Sequence, residues 1–335
     1  MNNAALMTPG TVGASQAPAE SASTLRLQCP VCSHSLHPSD LPDRAHSVCL
    51  ECGFVLSEVD GIFRSLPPDR GSYFAQFIRE YELVRAKEGR GSSSPNYYLE
   101  LPFRDLTDRN SWQWRVRART WRHMAKHILP EIESSYPQGC DVLDIGAGNG
   151  WLSYRMNLRG HRLVAVDLLD NDVDGLGAAR HYFTRMSHPF LRFHAEMDHL
   201  PFAPAQFDVA IFNASFHYSV DYGQTLTEVL RCLRRPGHLI IADSPFYSGD
   251  ESGKKMLVEK RAEFERRFGF RSDSVQTREY LTPQVLHELA EKLGLRWSVL
   301  KPWYGINWAL RPAKARLLRR REPAKFYLLW AKVHN

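Results

Sequence analysis

Between residues 141 and 242, short apolar runs alternate with segments of helical character. DVLDI, RLVAVD, FLRFHA, FDVAIFN and HLIIAD are rich in β-branched and aliphatic residues, and helical stretches of about ten residues or more separate them. Such alternation predicts a parallel sheet with helices on both faces, connected by right-handed crossovers. Upstream, residues 74–88 read as a helix, residues 89–94 as a Gly/Ser loop and residues 112–129 as a second helix. In that second helix Trp114, Ala118, Trp121, Ala125 and Ile128 form an i, i+4, i+7, i+11, i+14 stripe suited to packing on a sheet. Arg115, Arg117, Arg119 and Arg122 lie off the stripe and read as a solvated face, with contact to an anion as the alternative. Downstream, the polar segment 247–280 reads as a lid or substrate-binding insertion. A helix over 282–293, a strand near 295–301 and a closing strand near 325–333 follow, and the chain shows no internal repeat.

The 335 residues suit one large core plus a smaller module. Residues 1–24, rich in Ala, Ser, Gly, Thr and Pro, read as a disordered tail. A cysteine-bearing module over 25–68 ends at Pro67 and Pro68, a helical extension spans 69–135, and the main α/β domain takes 136–335. At 43% hydrophobic and 24% charged residues the chain is globular, which excludes collagen-like, coiled-coil and fully disordered classes. No uncharged apolar run approaches the ~18 residues that span a bilayer, and the start lacks a secretory pattern. The expectation is a cytoplasmic protein with no stable membrane insertion.

Net charge changes this picture only locally. The formal charge is +6, but residues 300–335 hold nine basic residues against the single acid Glu322, so the basicity belongs to the C-terminal segment, including Arg319, Arg320 and Arg321. Such a segment either faces RNA, acidic lipid or a phosphate-bearing substrate, or forms the solvated face of a helix.

Two motifs carry chemistry. The first, Asp144-Ile145-Gly146-Ala147-Gly148-Asn149-Gly150, directly follows an apolar strand and precedes a helical stretch. Alternate glycines permit a strained turn that brings backbone amides close to a nucleotide-like ligand. The dinucleotide fingerprint would place its third glycine at residue 151, which is Trp, so the spacing does not suit NAD. Asp167 ends the next strand, nineteen residues beyond Gly148, where a carboxylate can accept both hydroxyls of a ribose. Together these features indicate an adenosine-bearing ligand.

The second motif is Cys29-Pro-Val-Cys32 with Cys49-Leu-Glu-Cys52, sixteen residues apart. Two such knuckles supply four thiolates for a closed, structural zinc site that stabilises a module too small for its own core. A redox pair is the less favoured reading. His34, His37 and His46 are spare ligands expected at the surface, and Cys140 and Cys232 read as apolar packing residues.

The chain resembles the class I S-adenosylmethionine-dependent methyltransferases, in particular the broad type 11 group that includes quinone and other small-molecule methyltransferases. VLDIGAGNG, VAVD, EMDHLPF, FDVAIFNASFHY and LRRPGHLIIAD carry that resemblance in family order, over about residues 97–335. It implies a Rossmann-like seven-stranded methyltransferase sheet with helices on both faces, plus a small N-terminal zinc ribbon. Gly146, Gly148 and Gly150 would lie against the methionine and ribose of S-adenosylmethionine, with Asp144 supporting the loop or the ammonium and Asp167 on the ribose. Glu196, with Asp198 as competitor, would face the adenine amino group and Met197 would offer its amide. Asn213 to Phe216 would border the methyl donor, and Tyr97 or Tyr98 would close over it. The continuation VLSEVDGIFRSLP is similar to the zinc-ribbon activator module of methyltransferases and to the zinc-bearing N-terminus of a ribosomal RNA guanine methyltransferase.

Methyl transfer from a sulfonium is a direct displacement, dominated by in-line positioning and exclusion of water. If a base assists, His217 beside the strand ends has a suitable intrinsic pKa; a packed loop histidine is the alternative. The leading expectation is a methyltransferase acting on a small molecule, quinone-like, lipid-like or a natural product. An RNA methyltransferase using the zinc ribbon and the basic segment, and a non-catalytic cofactor-binding scaffold recruiting a protein partner through the ribbon, are the alternatives.

Overall fold

The computed structural model describes residues 25–36 and 46–334. The expected tail over 1–24 and His37 lie outside them. Seven strands build the central sheet: β6 (Asp141–Ile145), β7 (Arg162–Asp167), β8 (Leu191–His194), β9 (Phe207–Asn213), β10 (Leu233–Ala242), β12 (Trp297–Leu300) and β14 (Leu328–Val333). Their order is β12-β14-β10-β9-β6-β7-β8. The five from β6 to β10 run parallel, and β14 is inserted antiparallel between β10 and β12. This is the Rossmann-like methyltransferase sheet that the motif order implied.

Period-2 alternation sends successive residues to opposite faces, and each face has its own core. Val142, Ala165, Ile211 and Ile240 face one way, against Trp114, Trp121, Ile128 and Trp151. Leu143, Ile145, Ala210 and Ile241 face the other, against Leu226, Val229, Val285 and Leu289. The first layer comprises α2 (Pro95–Glu100), α3 (Ser111–His127), α4 (Leu129–Ser135), α5 (Trp151–Asn157) and α6 (Arg180–Phe183); the second comprises α7 (Tyr222–Cys232) and α9 (Pro283–Leu293). The tryptophan stripe therefore packs as the periodicity predicts. The single helix expected over 112–129 is interrupted at Ile128, where Pro130 opens α4.

The cysteine-bearing segment is joined to the sheet. One hairpin is β1 (Leu27–Gln28) with β2 (Ser35–Leu36); a second ribbon is β3 (His46–Val48), β4 (Val55–Val59) and β5 (Ile62–Arg64). β5 pairs parallel with β8, Phe63 opposite Phe193, which extends the seven strands to ten. The Phe63 and Phe193 rings stack at 4.7 Å. At Pro67 and Pro68, the expected end of the cysteine-bearing module, Pro68 opens helix α1 (Pro68–Lys87), where the missing N–H costs nothing. The short strand β11 (Pro245–Phe246) directly precedes the 247–280 segment, which contains the long polar helix α8 (Asp250–Phe268). β11 pairs with β13 (Lys325–Phe326), and the short helices α10 (Ile306–Ala309) and α11 (Arg311–Leu317) carry the basic segment. No helix among the described residues is long and apolar enough to cross a membrane.

Candidate active site

After β8 the chain returns to the opposite side of β6, so β6 and its neighbours β7 and β9 frame a topological switch point, where α/β sheets open a crevice beyond the carboxyl ends of their strands. A cleft of about 940 Å³, counting its open mouth, lies there. Its floor is the loop after β6, Asp167 and Leu168 after β7, and Asn213 to Ser215 after β9; its roof is Phe77, Tyr81 and Arg85 of α1 with Trp114 and Arg117 of α3.

The three glycines have positive φ, +70° at Gly146, +55° at Gly148 and +77° at Gly150, but different surroundings. A Cβ on Gly146 would lie 2.2 Å from Ser215 Cβ, and one on Gly150 2.9 Å from the Phe190 ring. At Gly148 the nearest atom would be Asp174 O at 3.6 Å, so this glycine keeps its cradle open toward the cleft. Gly150 does not line the cleft; it starts α5 against Phe190 and Ala179.

Two carboxylates face the cleft from the strand ends. Asp167 accepts the Gly148 amide at 2.7 Å on Oδ2 and the Leu169 amide at 2.8 Å on Oδ1, which leaves each oxygen a free lone pair. Burial pushes its pKa up to about 6, against the pull of those two amides. Asp144 accepts the Ser153 hydroxyl on Oδ2 at 2.7 Å, while its Oδ1 is buried without a partner. Burial, reinforced by the Asp167 charge, raises its pKa to about 7. A buried orphan acceptor at a cleft wall is a place for a cationic or N–H-bearing ligand group.

Asp174, which sequence reasoning missed, also lines the cleft and pairs with Arg85 from α1. Burial alone would lower the Arg85 guanidinium, but Asp174 and Tyr81 outweigh it and hold it firmly protonated. Only the mixed charge of α1 hinted at such a strut.

Several expected positions fall elsewhere. Met197 lines the cleft beside Ala195, but the Glu196 side chain between them does not: both its oxygens bind Arg70, at 2.8 and 2.6 Å, and Oε1 also lies 3.2 Å from His199 Nδ1. Asp198 accepts the Thr225 hydroxyl and is likewise outside the cleft wall. Tyr97 and Tyr98 are fully buried in the helical layer, and the Tyr98 hydroxyl bonds Val173 O and Ser92 O. Phe77, Tyr81 and Trp114 take the roof position instead.

His217 is buried away from the cleft, its Nδ1 3.3 Å from Ser244 Oγ. Desolvation, with the charges of Lys260 and Arg117, pushes its pKa down to about 3, so it is a neutral packed histidine at pH 7. The one-turn helix Phe216–Tyr218 points the next residue, Tyr218, at the cleft. Arg117, read as part of a solvated face, is instead a half-buried cleft residue because α3 roofs the sheet ends.

Cys29, Cys32, Cys49 and Cys52 converge, with all four Sγ atoms within 4.8 Å of one another. The two knuckles are geometric copies. Ser33 N bonds Cys29 O and Gly53 N bonds Cys49 O, while Cys29 N bonds His34 O and Cys49 N bonds Phe54 O, all at 2.8 to 2.9 Å. Four thiols at this spacing suit a tetrahedral ion with metal–sulfur bonds of ~2.3 Å. His34 and His46 are exposed and outside the cluster.

The model of the methyltransferase domain family matches residues 143–241. That stretch of the chain is similar to methyltransferase domains. A curated relative, the malonyl-[acyl-carrier protein] O-methyltransferase of Buchnera aphidicola subsp. Baizongia pistaciae, is 25% identical over 117 residues, which are 34% of this chain and 42% of that protein. The match thus spans less than half of the relative's length. Among solved structures, the chain is similar to the Burkholderia thailandensis 1,6-didemethyltoxoflavin-N1-methyltransferase, at 17% identity and a TM-score of 0.46, covering 87% of this chain and all of that one. The Bacillus subtilis YcgJ protein matches at 16% identity and a TM-score of 0.45, over 62% of this chain and 99% of its own.

Proposed function

We propose that the protein is an S-adenosylmethionine-dependent methyltransferase acting on a small-molecule acceptor. The observation that carries this reading is the pairing, in one cleft of a methyltransferase-like domain, of the open Gly148 cradle with the orphaned Asp144 Oδ1. Asp144 fits the ammonium of the methionine portion, Asp167 the ribose hydroxyls, and Ala195 and Met197 the adenine side. When bound, S-adenosylmethionine supplies an electrophilic methyl group on a sulfonium. Gly148 gives the ligand backbone-width clearance. Phe77, Tyr81 and Trp114 exclude water from above and orient the acceptor, and Asn213 and Tyr218 border it from the β9 side. No side chain need carry a proton for this, in keeping with the removal of His217 from the cleft. An enclosed aromatic roof supports a small molecule over a nucleic-acid strand, and the four cysteines support one structural zinc ion.

Calorimetric titration of the full chain with S-adenosylhomocysteine, with NADH as control and zinc measured on the same sample, tests this reading. Binding of the former alone, at one zinc per chain, is expected; no binding to a folded, zinc-loaded sample would overturn it.

A further inference from the structure

A second hollow adjoins the cleft and shares Phe77, Tyr81, Arg85 and Tyr218 with it; the residues Glu88, Arg90, Lys260, Phe264 and Glu279 are among the others that line it. The cations here differ in how they are matched. Arg85 is paired with Asp174 and Lys260 with Glu279. Arg90 spends Nε and Nη2 on one Glu88 oxygen, at 3.0 and 2.9 Å, and its side chain is only 5% exposed, yet Nη1 is buried with no partner. Arg117 makes no ion pair among the described residues; its guanidinium lies 4.8 Å from the Trp114 ring centre. The nearby acid Asp243 is buried, its Oδ1 on the Thr120 hydroxyl at 2.6 Å and its Oδ2 without a partner among the described residues; burial raises its pKa, and its charge offsets part of that of Arg117.

Across the two linked hollows the acids Asp144, Asp167, Asp174, Glu88 and Glu279 stand against the cations Arg85, Arg90, Arg117 and Lys260, but among the described residues Arg117 has no ion-pair partner and Arg90 Nη1 no hydrogen bond, beside aromatic walls. Burial, and the like charges of Arg90 and Arg85, hold the Arg117 pKa below its ordinary value, which shows the electrostatic cost of the arrangement. An anion would remove that cost. A guanidinium without an ion-pair partner presents a planar fork matched to a carboxylate.

We propose that the acceptor is an organic carboxylate with a planar, apolar body, its carboxyl held by Arg117 and Arg90 Nη1 and its body stacked among Tyr81, Trp114 and Tyr218. This inference rests on the methyl-transfer reading and narrows its substrate class. It is a claim about recognition, so the methylated atom is a separate question.

The test titrates benzoate and naphthalene-2-carboxylate, and their neutral amides, into the full chain with saturating S-adenosylhomocysteine, following tryptophan fluorescence and heat. Both carboxylates are expected to bind about 10- to 100-fold more tightly than their amides, the span of a charge-assisted contact. R117K should keep part of that preference and R117Q should erase it, with R90Q between them. Equal binding of acid and amide by the wild-type chain, binding of neither, or a preference that survives in R117Q overturns the inference. The two readings separate cleanly. A chain that binds S-adenosylhomocysteine but does not discriminate acid from amide loses only the carboxylate subsite. A chain that binds no S-adenosylhomocysteine loses the methyl-transfer reading, and the acid-against-amide comparison on the free chain then decides the subsite alone.

Discussion

The Gly148 amide donates to Asp167 Oδ2 at 2.7 Å, so the loop that ends β6 is fastened to the carboxylate that ends β7. With the Gly146 and Ala147 amides on Val166 O, at 2.8 and 3.0 Å, this hydrogen bond fixes the loop against the neighbouring parallel strand. It also holds the carboxylate in place before any ligand arrives, which lowers the ordering cost of binding.

Gly148 and Gly150 should fail in different ways. Gly148→Val meets almost nothing except the space kept for ligand, so the chain should fold with a strain of about 1–2 kcal/mol from the left-handed φ while S-adenosylhomocysteine binding weakens by at least about 100-fold. Gly150→Val drives a side chain into Phe190 and Ala179 and should cost about 1–3 kcal/mol more in stability. Denaturant melts and calorimetry on both variants check this, and equal ligand affinity in G148V and the wild type would refute the cradle.

The four-cysteine cluster should matter beyond its own hairpins, because β5 is a strand of the main sheet. Ser65 N and its hydroxyl both bond His194 O at 3.1 Å, just after β5, at the end of β8. Replacing Cys32 and Cys52 by Ser should abolish zinc binding, measured by metal analysis. It should also remove amide-exchange protection from β3, β4 and β5 while β6 and β9 stay protected. Full zinc occupancy in the double variant would contradict the ligand set.

Arg85→Met removes the partner of a carboxylate whose side chain is only 7% exposed. Breaking a buried pair from one side typically costs about 3–5 kcal/mol. The double variant Arg85→Met with Asp174→Leu should recover much of that loss, and a thermal-melt cycle measures the coupling. Additive losses would show that the strut contributes nothing as a pair.

What was readable in the sequence divides along physical lines. The strands from β6 to β10 announce themselves because a central strand buried on both faces must be apolar throughout, and the glycine loop because few residues tolerate three positive φ values in five positions. The joining of β5 to β8 left no such trace: β5 is three residues long and its partner lies some 130 positions away. For Arg117 and His217 the sequence left two readings open, for a shared reason. Helical and loop periodicity say which side chains point together, but not what lies opposite, and here α3 covers the sheet ends while the turn after β9 exposes Tyr218 in place of His217. Glu196 illustrates the converse: its position in the motif suggested a ligand contact, and Arg70, far off in sequence, claims both its oxygens.

Asp144 ties ligand binding to pH with a sign opposite to that of an ordinary salt-bridged acid. Its folded pKa of about 7 lies above the unfolded value near 3.8, so the folded chain holds a proton that the unfolded chain has released. Stability from this group is therefore complete below about pH 4 and declines as pH rises through about 7, and Asp167, at about 6, acts in the same direction. Ligand binding runs the other way, because a ligand ammonium needs the ionised carboxylate: affinity for S-adenosylhomocysteine should fall as pH drops from 8 to 5.5. Asp144→Asn keeps an acceptor for the Ser153 hydroxyl and removes the buried charge. At pH 8 it should stabilise the ligand-free fold by an amount on the order of 1–3 kcal/mol while weakening ligand binding by at least about tenfold. Melting temperatures and ligand titrations of D144N and wild type at pH 5.5 and pH 8 decide the matter. A stability gain that is the same at both pH values would mean that the buried charge is not its source.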